Sequence, residues 1–416
     1  MIKQINFRLN ELILMLIIKR RNSFFLLLFF IFFSCSQNQK KFSLTKSNYT
    51  IDLDEKKEAS IPFSTFFKNP KTITLETNRE FLIGHIKELQ VFNGCIYILD
   101  ALYAKSLFVF NMDGHFIKKI GSLGNGPGEY IQPLDFTFDT ENRFIFLLDY
   151  GNRVHQYHLD GIFVRTITLQ EQDIYINNIQ YYNEKLYLSV RKFQPSTNDY
   201  MLMEVDIENG KILSSLLPLK YNKGWAGRFS TGHSFFMSRL NDPPRFTHLY
   251  MDYIVTIGDV ITPFVELKSK YLTTYEDVKK LQGDKKTPQV FEEAIMQIQN
   301  IWDVNSFIEN VDFIIFRYRD GFRDYNTVII HKKTEMVELV KYLNNDLIYK
   351  NDNNGLYRNF AFSDTKGVYE IIQVPMIEKL QESIKNNNVA PGLDKMDELL
   401  KLEKDNNPVI FYYEFK

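Results

Sequence analysis

Cysteine is almost missing from this chain: Cys35 and Cys95 are the only two in 416 residues. One pair at most can form, so a disulfide framework is excluded as the source of stability. An excess of charge of one sign is missing as well, with 50 basic against 51 acidic side chains. That balance argues against nucleic acid as a partner, whose binding needs a basic face. The seven histidines are dispersed, and His155 and His158, three apart in a predicted strand, project to opposite faces, so no zinc spacing occurs. Around Asp352, Asn354 and Gly355 a calcium loop is imitated, but Lys350 holds its first ligand position and Ala361 its twelfth, which rejects it. No Gly-x-Ser-x-Gly elbow and no phosphate loop with a Lys-Ser/Thr pair is present. Neither a metal nor a cofactor is expected.

What the chain has in quantity is Phe and Tyr, 36 and 24 residues, within a hydrophobic share of 44%. This is ample for a large core and unlike a disordered chain. At the amino terminus Lys19-Arg20-Arg21 precedes an apolar run, Phe24 to Phe33, and Ser34-Cys35 ends it. The pattern predicts a secretory signal over residues 1–34, with Met15 as the more conventional start, and the run is too short for a transmembrane helix. Removing 1–34 leaves 45 basic and 50 acidic side chains, a net charge of −5. Residues 36–70 are polar and read as a tether with an extended lead-in.

From residue 71 the sequence reads as small antiparallel sheets. Ile96 to Leu99 is a strand ending at Asp100, Leu107 to Phe110 a second, Asp113-Gly114 a tight turn, and Phe116 to Ile120 a third. The same grammar returns with Asp149, 49 residues after Asp100, and Gly161, 47 after Gly114; Gly210 follows 49 after Gly161. Repeats of that length indicate propeller blades. Later blades are read from Ser234, Asp312 and Leu356 onward. Helices are expected over a Thr287-Pro288 start, Met376 to Lys385 and Leu393 to Leu400, as insertions in the carboxy-terminal third. The apolar ending Val409 to Phe415 is expected to close the ring by pairing with residues from about 71 to 92.

The Ile-Tyr-Ile-Leu-Asp strand, the Met112-Asp113-Gly114 turn and the Gly126-Pro127-Gly128-Glu129-Tyr130 loop together resemble the six-bladed β-propeller lipoproteins common in Bacteroidetes, whose blades are NHL-like. Phe32-Phe33-Ser34-Cys35 similarly resembles a lipobox. The resemblance implies an all-β six-bladed propeller over 71–416, lipid attached at Cys35, and a place in the cell envelope. It carries over no catalytic residues. The absence of acidic residues in Ser36 to Lys41 favours the periplasmic side of a membrane over the cell surface.

Within that frame, Gly126, Pro127 and Gly128 read as an inter-blade loop, and Glu129 and Tyr130 are candidates to line a ligand surface beside it. Asp100 and Asp149, with Gly114 and Gly161, read as structural residues of repeated blade turns. Arg153 reads as a solvated loop cation. Trp225, Arg228 and Arg245 would suit a carbohydrate or carboxylate ligand, as a stacking platform and forked donors. The leading expectation is a membrane-tethered, non-enzymatic propeller binding a ligand or an envelope protein. Two others stand beside it: a glycan- or lactone-directed hydrolase or lyase at the channel mouth, and a structural subunit of an envelope complex.

Overall fold

In the computed structural model, residues 45–55, 57–171, 173–192, 199–225, 234–236, 242–282, 299–321, 324–351 and 360–416 are described. The leader, Cys35, Arg228 and the Thr287-Pro288 helix start lie outside them. The described strands, in chain order, are β1 (Tyr49–Asp52), β2 (Glu58–Pro62) and β3 (Phe67–Thr74), followed by the blades themselves. The first blade is β4 (Glu88–Phe92), β5 (Cys95–Asp100), β6 (Ser106–Asn111) and β7 (Phe116–Ile120). A short parallel pair, β8 (Ser122–Leu123) and β9 (Glu129–Tyr130), links it to the second, β10 (Pro133–Asp139), β11 (Phe144–Asp149), β12 (Arg153–His158) and β13 (Phe163–Thr168).

The third blade is β14 (Ile174–Tyr182), β15 (Lys185–Lys192), β16 (Tyr200–Asp206) and β17 (Ile212–Pro218). The fourth is β18 (Phe235–Phe236), β19 (Arg245–Phe246), β20 (Tyr253–Thr256) and β21 (Thr262–Lys268), and the fifth β22 (Ile301–Glu309), β23 (Phe313–Asp320), β24 (Asp324–His331) and β25 (Met336–Asn344). The sixth is β26 (Phe360–Ser363), β27 (Gly367–Ile372) and β28 (Val409–Phe415), completed by β3. Six antiparallel sheets make a β-propeller, as the repeat spacing predicts.

Ring closure follows the expected scheme. β28 lies between β27 and β3, with Val409 opposite Thr74 and Phe415 opposite Phe67. The amino-terminal arm departs from the reading of 36–70 as tether and lead-in, because the propeller sheets begin well before residue 71. β1 adds a fifth strand, in parallel, to the fourth blade, and β2 does the same to the fifth. Both are short and polar, which hides them from a hydrophobic pattern. Arg79–Phe81 is a 3-10 turn, and the stretch from there to β4 is a link between blades.

The middle strands carry continuous apolar runs, not alternation. Ile96 to Leu99, Leu107 to Phe110 and Ile145 to Leu148 are all buried, because both faces of each sheet pack against neighbouring blades. The turn glycines found by spacing sit where one blade meets the preceding one. An added Cβ at Gly114 would lie 2.9 Å from the Thr74 carbonyl carbon and closer still to its oxygen, and at Gly210 it would meet Thr168 in the same way. At Gly161 it would meet the end of the Ile120 side chain at 3.3 Å and the Lys119 carbonyl oxygen at an ordinary 3.8 Å.

Three described helices lie outside the sheets: α1 (Tyr275–Gln282), α2 (Val374–Lys385) and α3 (Met396–Leu399). α1 was not legible from periodicity. Ile377, Leu380, Val389, Leu393 and Leu399 bury the α2–α3 segment against the fifth and sixth blades, among Phe63, Phe67 and Tyr413. Val278 of α1 packs with Trp225, Tyr250 and Trp302.

Candidate functional site

Strand alternation fixes which connections share a face. Counting outward from the channel, the turns from second to third strand and the links from fourth strand to the next blade emerge at one end of the wheel. All three described helices belong to that end. So do Leu82, Leu102, Tyr103, Leu123, Ile131, Tyr150, Tyr271 and Tyr275, each exposed. Among the described turns at the opposite end, the large exposed apolar residues are Ile162, Val260 and Val311, on separate blades.

Asp100 and Asp149 hold this surface in shape. The Asp100 carboxylate is wholly buried and accepts four backbone N–H bonds: from Gly84 (2.8 Å) and His85 (3.2 Å) in the incoming link, and from Leu102 (3.0 Å) and Tyr103 (2.9 Å) in the turn. One side chain thereby brings Leu82, Leu102 and Tyr103 together, with the Tyr103 ring over Gly84 and 74% exposed. In the second blade Asp149 accepts from Ile131 (3.2 Å) and Gln132 (2.7 Å), and the Tyr150 N–H donates to the Gln132 carbonyl at 3.0 Å. Ile131 and Tyr150 are thus placed side by side. The turn-capping reading of both aspartates is the one the geometry fits.

Burial pushes the Asp149 carboxyl up, but hydrogen bonds from His155, Gln132, Ile131 and Arg153 outweigh it and hold the group below the ordinary carboxylate range. Arg153 is therefore no solvated cation: its guanidinium pairs with Asp149 at 2.5 Å. Register explains the miss, since Asp149 and Arg153 stand opposite each other across the β11–β12 turn.

The other sequence candidates are scattered and occupied. Glu129 accepts the Gly126 N–H at 2.8 Å and closes the Gly-Pro-Gly loop, whose Gly128 carbonyl accepts the Tyr157 hydroxyl at 3.1 Å. Tyr130 is a core residue with no exposed surface. Trp225 is 1% exposed and meets Tyr250 edge-on at 5.2 Å, so it offers no stacking platform. Arg245 forks onto Glu309 at 3.0 and 3.1 Å and lies 3.6 Å from the centroid of the Phe264 ring. Burial raises Glu309, yet Arg245 and Lys332 together hold it ionised below its usual value. These residues join blades and carry no open donor toward a ligand.

The channel is the second feature. Its inner strands are stitched to one another by side chains: Gln90 to the Phe136 carbonyl (3.0 Å), Asn178 to Asp135 (3.1 Å) and Gln180 to Thr137 (3.0 Å). Register shifts in β10, β14, β22 and β26 turn residues inward at the wall. A cavity of 170 Å³ remains, with Phe235, Phe236, Phe307, Phe360 and Phe362 among its lining residues. No group of three or more His, Cys, Asp or Glu able to hold a metal ion occurs among the described residues.

A family model described as "Domain of unknown function (DUF4934)" matches residues 48–414. No curated protein matches the sequence. Among solved structures, a protein inferred to be exported, from Bacteroides fragilis, superposes with a TM-score of 0.68 at 17% identity, over 88% of this chain and 99% of that one. A member of the DUF4221 family from Bacteroides vulgatus gives a TM-score of 0.51 at 10% identity, over 84% of this chain and 97% of its own. At these identities the likeness is one of fold.

Proposed function

The chain belongs to the DUF4934 family, and on that premise we propose that it is an exported, lipid-tethered propeller that binds an envelope protein through the face carrying Tyr103 and Tyr150. The observation that carries this reading is the grouping of exposed apolar residues by Asp100 and Asp149 on adjacent blades. Apolar side chains held out by a rigid clamp mark interaction sites more than single exposed residues do. Tethering rests on the lipobox-like Cys35 and the signal ahead of it, and the periplasmic side on the uncharged-to-basic stretch after it. A partner in the same compartment is then within reach of a short tether. The candidate donors for carbohydrate, Trp225 and Arg245, are committed inside the fold, which favours a protein partner over a glycan.

Photo-crosslinking in cells tests the face. A crosslinker at position 103 or 150 should trap one discrete partner, and Leu102→Asp should abolish trapping from position 150. A crosslinker at position 162, at the other end of the wheel, should trap none. Equal yields from both ends, or no product from 103 and 150, would overturn the proposal.

A further inference from the structure

The channel cavity has a chemical character that the exposed face does not share. Gln90 and Gln180 line it, 9% and 6% exposed. The Gln90 amide nitrogen donates to the Phe136 carbonyl at 3.0 Å and to Glu88 at 3.3 Å. The Gln180 nitrogen donates to the Tyr181 carbonyl at 2.9 Å and to Thr137 at 3.0 Å. A backbone carbonyl can only accept, so each amide is fixed in one orientation. Both N–H groups of each side chain are used, and each amide oxygen has no donor among the described residues. Asn305 adds a third amide: one of its N–H groups donates to Asp303 at 3.2 Å, and its oxygen has no described donor.

The lining therefore combines amide acceptors with phenylalanine rings. Aromatic faces carry negative charge density and attract cations. The Glu88 carboxylate lies in the same wall, and the Lys87 ammonium is drawn off to the Leu134 carbonyl of the next blade. Ser306, between Asn305 and Phe307, has φ +50°, a left-handed conformation that serine seldom adopts. It lies in the register shift between Asn305 and Ile308, and both Asn305 and Phe307 line the cavity.

We propose that this cavity binds a compact organic cation, a primary amine or small alkylammonium. Ammonium N–H groups would satisfy the amide oxygens of Gln90 and Gln180, and the alkyl part would lie against Phe307 and its aromatic neighbours. An anion would meet these amide oxygens and the Glu88 carboxylate in the same lining. Ligands this small reach dissociation constants of about 1 mM.

The test uses the full mature chain at constant ionic strength. Ethylammonium and tetramethylammonium chlorides are compared with the neutral propanol and neopentyl alcohol, close to them in size, and with sodium acetate, by titration calorimetry and thermal midpoint. The expected result is saturable binding of at least one cation and none of the alcohols or acetate. Gln180→Met should weaken binding at least fivefold, and Phe307→Leu should do so with the inter-blade hydrogen bonds left in place. The idea is overturned if the neutral alcohol binds as well as the cation, if no cation saturates below about 30 mM, or if both variants bind as the parent does. Because cation and alcohol are compared on the unaltered protein, that arm decides the matter even where a variant fails to fold. Crosslinking from position 103 does not depend on the outcome.

Discussion

Replacing the turn glycines one at a time separates backbone conformation from blade contact. Gly114 and Gly161 have nearly the same φ, +93° and +92°, so alanine at either incurs the same left-handed cost of about 1–2 kcal/mol. The surroundings differ. At Gly161 the new methyl meets the Ile120 side chain at 3.3 Å, which a small rotation relieves. At Gly114 it collides with the Thr74 backbone, so the turn must back away from β3 and strain the bond from the Glu76 N–H to the Gly114 carbonyl, now 2.8 Å. Loss of one hydrogen bond and of packing at that junction adds about 2 kcal/mol. Gly114→Ala should therefore destabilise by about 3–4 kcal/mol and Gly161→Ala by about 1–2 kcal/mol, with Gly210→Ala, which faces Thr168, grouping with Gly114. Urea unfolding followed by fluorescence of Trp225 and Trp302 reads the midpoints, provided that the slopes agree among variants. Equal losses at Gly114 and Gly161 would refute the idea that these glycines are there for contact between blades.

Tyr413→Phe removes a buried hydroxyl that donates to Glu370 at 2.7 Å and accepts from Asn345 at 2.8 Å; a loss of about 1–3 kcal/mol is expected in the same urea assay. Glu309 is held below its ordinary value of 4.5, so its contribution is complete above that pH and disappears as the pH falls through the lower folded value. Thermal midpoints of the parent should drop in that acid window, and Glu309→Gln should be less stable at neutral pH with a shallower acid slope; a parallel slope would contradict the assignment. Asp100→Ala frees four N–H groups, several of them near solvent, and should cost about 2–4 kcal/mol and speed amide exchange at Gly84, His85, Leu102 and Tyr103 above all. Cys35→Ser should move the protein from the membrane to the soluble fraction on cell fractionation; unchanged membrane association would remove the lipid anchor from the proposal.

Legibility in the sequence followed the range of the interaction concerned. Asp100 and Gly114 could be read because a turn is local and recurs with the blade, and Val409 to Phe415 because an apolar terminus demands a sheet. Arg245 could not, since its partner Glu309 lies 64 residues on and an arginine beside two prolines looks like open loop. Trp225 is likewise indistinguishable from an exposed platform until Tyr250 and Trp302 are folded over it. The apolar face was missed for the opposite reason. Leu102, Tyr103 and Tyr150 are inconspicuous one by one, and only the strand order brings them to the same end of the wheel.

The arm that borders three blades pairs only with strands far along the chain. Asn69 and Glu414, joined by a hydrogen bond, are 345 residues apart, and β1 and β2 find their places only after β21 and β25 exist. The first strands of the propeller thus wait for partners made much later, β3 for the longest, and until the carboxy terminus arrives Phe63, Phe66 and Phe67 have no sixth blade to cover them. The last seven-residue strand is therefore the latch of the wheel: without β28, β3 has no strand beside it and β27 loses its outer neighbour.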